Sequence, residues 1–187
     1  MRVHNEPTLH EEAEGVLRIG AGAETDWFVD PGTGKVTASA PAVLDTAPEG
    51  DFVLAARVRA ELAETFDAGA LVVWGDERNW AKLAVERSPA GVPMVVSVVT
   101  RGVSDDCNSH VLAEAAAWLR IARIGDAYAF HASLDGAWWD LIRHFRLDIA
   151  RVEAGFEAQS PLGAGCIATF SERSLDPRTV ADLRNGE

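Results

Sequence analysis

Residues 79–87, Asn-Trp-Ala-Lys-Leu-Ala-Val-Glu-Arg, alternate strictly between two kinds of side chain. Trp80, Lys82, Ala84 and Glu86 share one face; Ala81, Leu83 and Val85 share the other. A strand has a side-chain period of two, so this segment has one apolar, packed face and one face bearing an aromatic, an amine and a carboxylate. The pattern predicts a sandwich strand whose outer face lines a groove. The same rule orients other segments. It turns Phe52, Leu54, Ala56 and Val58 inward and Arg57 and Arg59 outward. It buries Leu119 and Ile121, leaving Trp118 and Arg120 on the opposite face, and buries Phe156 and Ala158 beneath outward Glu157 and Gln159.

Extended runs of this kind recur at residues 16–19, 42–44, 52–62, 68–74, 80–87 and 92–100, then at 118–124, 127–133, 138–145, 152–159 and 166–171. Between them lie Pro31-Gly32-Thr33-Gly34, Gly75-Asp76, Gly125-Asp126 and Asp135-Gly136. Gly-Asp and Asp-Gly pairs between extended runs signal hairpins, because primed turns need positive φ. Many strands with tight turns and no helical alternation predict an antiparallel two-layer sandwich. Residues 61–67 and 111–117 are rich in Ala and Glu and read as connections with room for a helical turn. The segment 103–106, with Ser104-Asp105-Asp106, reads as a loop. Residues 1–175 form one domain, and 176–187 a polar tail. Were the strands neighbours, Trp80, Lys82, Glu86, Trp118, Arg120 and Gln159 would converge on one sheet face.

The size, 187 residues with 48% hydrophobic content, suits one core. A net charge of −12 argues against nucleic acid and anionic membrane surfaces as partners. No apolar run reaches the roughly 18 residues of a membrane span, and residues 1–7 lack a signal-peptide core. Cys107 and Cys166 form neither a metal-like spacing nor a disulfide framework, so two buried or half-buried thiols in a cytoplasmic protein are expected.

The chemistry is sparse. Glu86 is the best catalytic carboxylate, but a glycosidase needs a second one at about 5 Å, or roughly 6.5–9.5 Å for inversion. Asp105, Asp106 or Glu157 would have to be brought to it by the fold. Without that, Glu86 satisfies a polar face through Lys82 or Arg120. Calcium on Ser104-Asp105-Asp106 lacks the Asp-rich loop that supplies six to eight oxygens, and His4, His10, His110, His131 and His144 show no zinc spacing; no cofactor and no metal is expected. Six tryptophans stand against a single tyrosine. About half should be plain core, while the rest offer flat faces for sugar C–H groups.

An ordered series of segments then stands out. It comprises Asn5-Glu6-Pro7, Asp26-Trp27-Phe28, Asp67-Ala68-Gly69-Ala70 and Trp80-Ala81-Lys82 with Glu86. It continues with Ser97-Val98-Val99-Thr100 and Ser104-Asp105, Trp118-Leu119-Arg120, Ser133-Leu134-Asp135-Gly136 with Trp139, and Gln159-Ser160-Pro161. The chain resembles the small concanavalin A-like β-sandwich family of unknown function that includes the yeast regulator of enolase. His4 and Asp106-Cys107 depart from the family pattern. The resemblance implies a jelly-roll of two curved antiparallel sheets, as in lectins and glycan-active enzymes, and brings no established activity. The expectation is a non-catalytic cytoplasmic module holding a small polar ligand such as a carbohydrate on Trp80, Lys82, Glu86, Thr100, Ser104, Asp105, Arg120 and Gln159. The alternatives are a glycoside hydrolase or lyase using Glu86, and a protein-interaction module that regulates a metabolic enzyme. Either a protein partner or a homodimer through sheet edges is compatible with the chain.

Overall fold

The computed structural model describes residues 2–184 and, among them, sixteen strands and no helix. In chain order these begin with β1 (Arg2–His4), β2 (Leu9–Ala13), β3 (Val16–Gly22), β4 (Trp27–Val29), β5 (Val36–Ala38) and β6 (Ala42–Thr46). Then come β7 (Phe52–Ala60), β8 (Ala68–Asp76), β9 (Asn79–Arg87), β10 (Pro93–Arg101) and β11 (Val103–Val111). The last are β12 (Ala116–Ile124), β13 (Ala127–Ser133), β14 (Asp140–Arg146), β15 (Glu153–Gln159) and β16 (Gly165–Asp176).

Two seven-stranded antiparallel sheets face each other. The first has the order β1-β6-β15-β8-β9-β10-β11, the second β14-β13-β12-β7-β16-β3-β2. The inward faces predicted from alternation meet between them: Leu54, Val58, Leu71, Leu83, Val85, Leu119, Ile121, Phe156 and Phe170 belong to one buried cluster. Burying this much apolar area from both sheets is what fixes the register, since a one-residue slip would turn each strand inside out. The all-β sandwich expected from the sequence is the fold observed.

β4 and β5 pair only with each other. Their connection is tied by Asp30, whose Oδ1 accepts from the backbone N–H of Gly32 and Thr33 at 2.9 and 2.6 Å. Together with the segment before it, the hairpin lies over the outer face of the first sheet. There Trp27 packs against Trp74 and Trp80, with ring centroids 4.5 and 6.1 Å apart, and all three indoles are buried. A second apolar cluster, with Ala68, Ala70, Val72 and Ala84, thus forms outside the main core.

Several expectations need correction. Residues 103–111 are a strand. β11 turns back from β10 through Gly102 (φ +79) and pairs Thr100 with Ser104, Val99 with Asp105 and Val98 with Asp106. It is an edge strand with a single neighbour, so its sequence need not show a buried apolar alternation. Residues 61–67 are the connection expected, an irregular loop in which the Asp67 carboxylate accepts from the N–H groups of Ala63 and Glu64 at 3.1 and 2.8 Å. β16 continues five residues beyond the predicted stop through a bulge at Glu172 (φ +51). The polar tail is not free over its described part. Val180 packs on Val53 and Ala122 of the second sheet, and buried His131 donates from Nε2 to the Leu183 carbonyl at 2.8 Å. The remainder, 185–187, lies outside the described residues. Cys166 is buried and free, whereas Cys107 is free but exposed on β11.

Gly155 sits where β15 crosses β6, opposite Leu44. A Cβ there would lie 2.2 Å from the Val43 carbonyl oxygen and 3.0 Å from the Leu44 Cα, both backbone atoms. Gly155→Ala is expected to cost about 3 kcal/mol, the upper end for overpacking, in a urea-unfolding measurement.

Candidate functional site

The site starts from register. On the outer face of the first sheet, Gln159, Ala68 and Glu86 lie side by side on β15, β8 and β9. In the next row stand Glu157, Ala70 and Ala84, and in the one after, Gly155, Val72, Lys82, Val98 and Asp106. The middle strand β8 presents only small side chains here. Long polar groups from β9 and β15 can therefore lean over Ala68 and Ala70 and meet.

They meet at the Lys82 ammonium, which is 2% exposed. Nζ donates to Asp26 Oδ1 at 3.2 Å, to the Trp27 carbonyl at 2.9 Å and to Gln159 Oε1, and it forms an ion pair with Glu157 Oε1 at 3.7 Å. Burial opposes its charge, but the carboxyl groups of Glu157, Asp26 and Glu86 outweigh burial and hold its pKa above the usual lysine value. Gln159 in turn donates from Nε2 to the Phe66 carbonyl at 2.9 Å, fixing the 61–67 loop at the rim. Burial pushes the fully enclosed Glu157 carboxyl up to about 7, despite the opposing pull of Lys82. Glu86 rises further, to about 8, through burial and the repulsion of Asp26, Glu157 and Asp106. Glu86 makes no hydrogen bond or ion pair among the described residues.

Lys82, Glu86 and Gln159 open into a cavity of about 330 Å³. Its walls are Asp26 and Phe28 from the hairpin side, Phe66 and Pro89 from loops, Val96 and Val98 from β10, and Asp106 and Asn108 from β11. Another cavity, about 270 Å³ and lined by Val43, Leu54, Phe156 and Arg173, shares no residue with it.

Three of the eight residues expected to bind thus line the cavity. Trp80 does not; it is 1% exposed beneath Trp27. Thr100 and Ser104 are buried and spent on structure: their hydroxyls bond at 2.8 Å, and Ser104 Oγ accepts from the Val29 N–H at 2.9 Å, clamping β4 to β11. Asp105 points away from the cavity, because β11 alternates as a strand, and pairs with Arg143 of the second sheet at 2.8 Å. Arg120 lies on β12, in the second sheet, so the expected convergence with Glu86 does not occur. It is buried against the Trp139 ring, 4.2 Å from the centroid, and burial lowers its pKa to about 10. The residues missed are Asp26, Phe28, Phe66 and Asn108. Only Asp26-Trp27-Phe28 carried a signal, as a segment of the resemblance. Glu157 and Asp106, named as carboxylates the fold might bring to Glu86, do reach its electrostatic surroundings. Among the described residues no group of three or more His, Cys, Asp and Glu is arranged to hold a metal ion.

A family model described as a protein of unknown function, DUF1349, matches residues 3–178. The chain belongs to the DUF1349 family. A functionally unknown protein from Saccharomyces cerevisiae is 25% identical in its crystal structure, with a TM-score of 0.84 over 94% of this chain and 95% of that one. A mutant of the GH43 protein BlXynB from Bacillus licheniformis is 14% identical, with a TM-score of 0.67 over 83% of this chain but 32% of its own. A legume lectin-like domain from Entamoeba histolytica is 12% identical, with a TM-score of 0.56 over 93% and 88% of the two chains. The last two are likenesses of fold. No curated protein matches the chain. Among the described residues no helix is long and apolar enough to cross a membrane.

Two outcomes follow for the charged cluster. Lys82→Met strips the only cation from buried carboxyl groups and is expected to lower stability by about 3 kcal/mol or more in urea unfolding. Because Glu86 has a higher pKa folded than its ordinary 4.5, the folded state binds more protons between 4.5 and about 8. Its contribution is therefore complete below pH 4.5 and disappears as pH rises through 8. The melting temperature should fall across that interval, and the fall should be shallower in Glu86→Gln.

Proposed function

We propose that this protein is a non-catalytic binding module whose cavity on the outer face of the first sheet holds a small polar ligand, most simply a carbohydrate. One observation carries the reading. Glu86 lines the cavity, is only 9% exposed, and has no protein partner for its hydrogen bonds among the described residues. Its carboxyl oxygens, unlike those of Glu157, are not sealed from the cavity, so a polar ligand entering there can take the place of water as their partner. With its pKa raised to about 8, Glu86 is largely protonated at neutral pH and both donates and accepts, which matches a sugar hydroxyl. Phe28 and Phe66 offer rings, and Asp106 and Asn108 further acceptors and donors. The mixture of apolar wall and few convergent polar groups is that of small-molecule sites.

The same raised pKa favours a second reading, a glycoside hydrolase or lyase in which Glu86 acts as the acid or base. Under it, Glu86→Gln abolishes turnover of a chromogenic glycoside while binding persists. The protein-interaction reading, with its link to the yeast regulator of enolase, rests on the resemblance alone.

The test is a thermal-shift and calorimetric screen of neutral mono- and disaccharides. A binding sugar should raise the melting temperature. Glu86→Ala should weaken it by about 10- to 100-fold, the scale of a buried hydrogen bond. Asp105→Asn, off the cavity, should leave affinity unchanged. Equal affinity in wild type and Glu86→Ala would place the ligand elsewhere.

A further inference from the structure

The cavity is short of positive charge. Asp26, Glu86, Glu157 and Asp106 surround it or its floor, and Lys82 is the only cation among its lining residues. The strands packed against Glu86 add nothing to correct this: β8 presents Ala68, Ala70 and Val72, and β10 presents Val96 and Val98. Lys82 has three N–H donors, and all three are taken by Asp26, the Trp27 carbonyl and Gln159. None remains for Glu86. Asp106, exposed at the rim, likewise makes no ion pair among the described residues. Two carboxyl groups thus face the cavity with no cation hydrogen-bonded or ion-paired to them among the described residues. One lies deep, where Lys82 attracts it only at longer range, and one at the mouth, and Phe28 and Phe66 line the same cavity.

We propose that the ligand of this cavity carries a protonated amine, as an amino sugar does, and that its ammonium is bound by Glu86 with Asp106 at the rim. The proposal rests on the reading of the cavity as a site for a polyhydroxyl ligand and adds the charge that selects among such ligands. An ammonium donates where a hydroxyl would, gains charge-assisted bonds that a neutral sugar lacks, and rests favourably against aromatic faces. Its arrival ionises the protonated Glu86 carboxyl. The carboxyl proton leaves to solvent, the amine keeps its own three, and the complex holds one carboxylate–ammonium pair.

The two classes of ligand respond oppositely to pH. As pH rises from 6 to 8, Glu86 and Glu157 ionise, and an amine binds more tightly. A neutral sugar loses the Glu86 O–H donor over the same range and binds more weakly.

The test is isothermal titration of the full chain with a matched pair, 6-amino-6-deoxyglucose and glucose, at pH 6 and pH 8 in two buffers of different ionisation enthalpy. The amino sugar is expected to bind about tenfold more tightly than glucose at pH 8, the size of one additional charge-assisted contact. Its affinity should rise with pH, and its heat should depend on buffer, reporting proton release. In Glu86→Gln, whose folding is checked by its melting temperature, the preference and the buffer dependence should both vanish. Equal binding of the two sugars by the wild type, or tighter binding of glucose, overturns the proposal and leaves the carbohydrate reading standing. Failure of both sugars together with the neutral panel overturns the carbohydrate reading as well.

Discussion

The ammonium of Lys82 is the knot on which the outer face of the first sheet depends. It draws in a carboxylate and a carbonyl from the segment before and at the start of β4, an amide from β15 and a buried glutamate beside it. Strand register and the pairing of Thr25 with Ser160 bring these groups close, and the charge ties them together. A buried ammonium is tolerable only if its donors are all met and its charge answered, and both conditions hold here. The consequence reaches outward. With Asp26 and the Trp27 carbonyl anchored, the Trp27 indole is delivered onto Trp74 and Trp80, and the hairpin that follows has a surface to lie on.

The arrangement explains why a polar strand face ends up almost dry. Lys82, Glu157 and Gln159 are each 3% exposed or less, yet they stand on the side of the sheet that turns away from the sandwich core. They are covered by the hairpin and its neighbours. The second sheet solves the same problem differently. Its outer face carries Arg57 over Trp118 and Arg120 over Trp139, with cations laid on indoles, and the segment through Val180 and Leu183 packed nearby.

The alternation of β7, β9, β12 and β15 was sufficient to assign inward and outward faces, because those strands are long and one face is uniformly apolar. It was insufficient to say what lay on the outward face. Trp80 looks like an open platform in sequence since nothing in residues 79–87 records that Trp27, more than fifty positions earlier, folds back over it. Arg120 shares the aromatic-plus-cation pattern of Lys82 but belongs to the other sheet, and period-two reasoning orients a side chain without saying which sheet carries it. β11 escaped for a different reason: an edge strand of Ser, Asp, Asn and His bears no apolar signature. With that strand read as a loop, Asp105 seemed to point where Asp106 does. Lys82, Glu86 and Gln159 were legible because their strands were, and because Ala68 and Ala70 between them are small.

The clamp between Thr100, Ser104 and the Val29 N–H joins two walls of the cavity. The floor is set in interior strands with neighbours on both sides, whereas β11 has one neighbour and the β4–β5 hairpin belongs to neither large sheet. The Ser104 hydroxyl joins those two parts directly, beside the anchorage that Lys82 gives Asp26 and the Trp27 carbonyl. The spacing of these two walls is therefore tied to a side chain that is not itself part of the cavity lining.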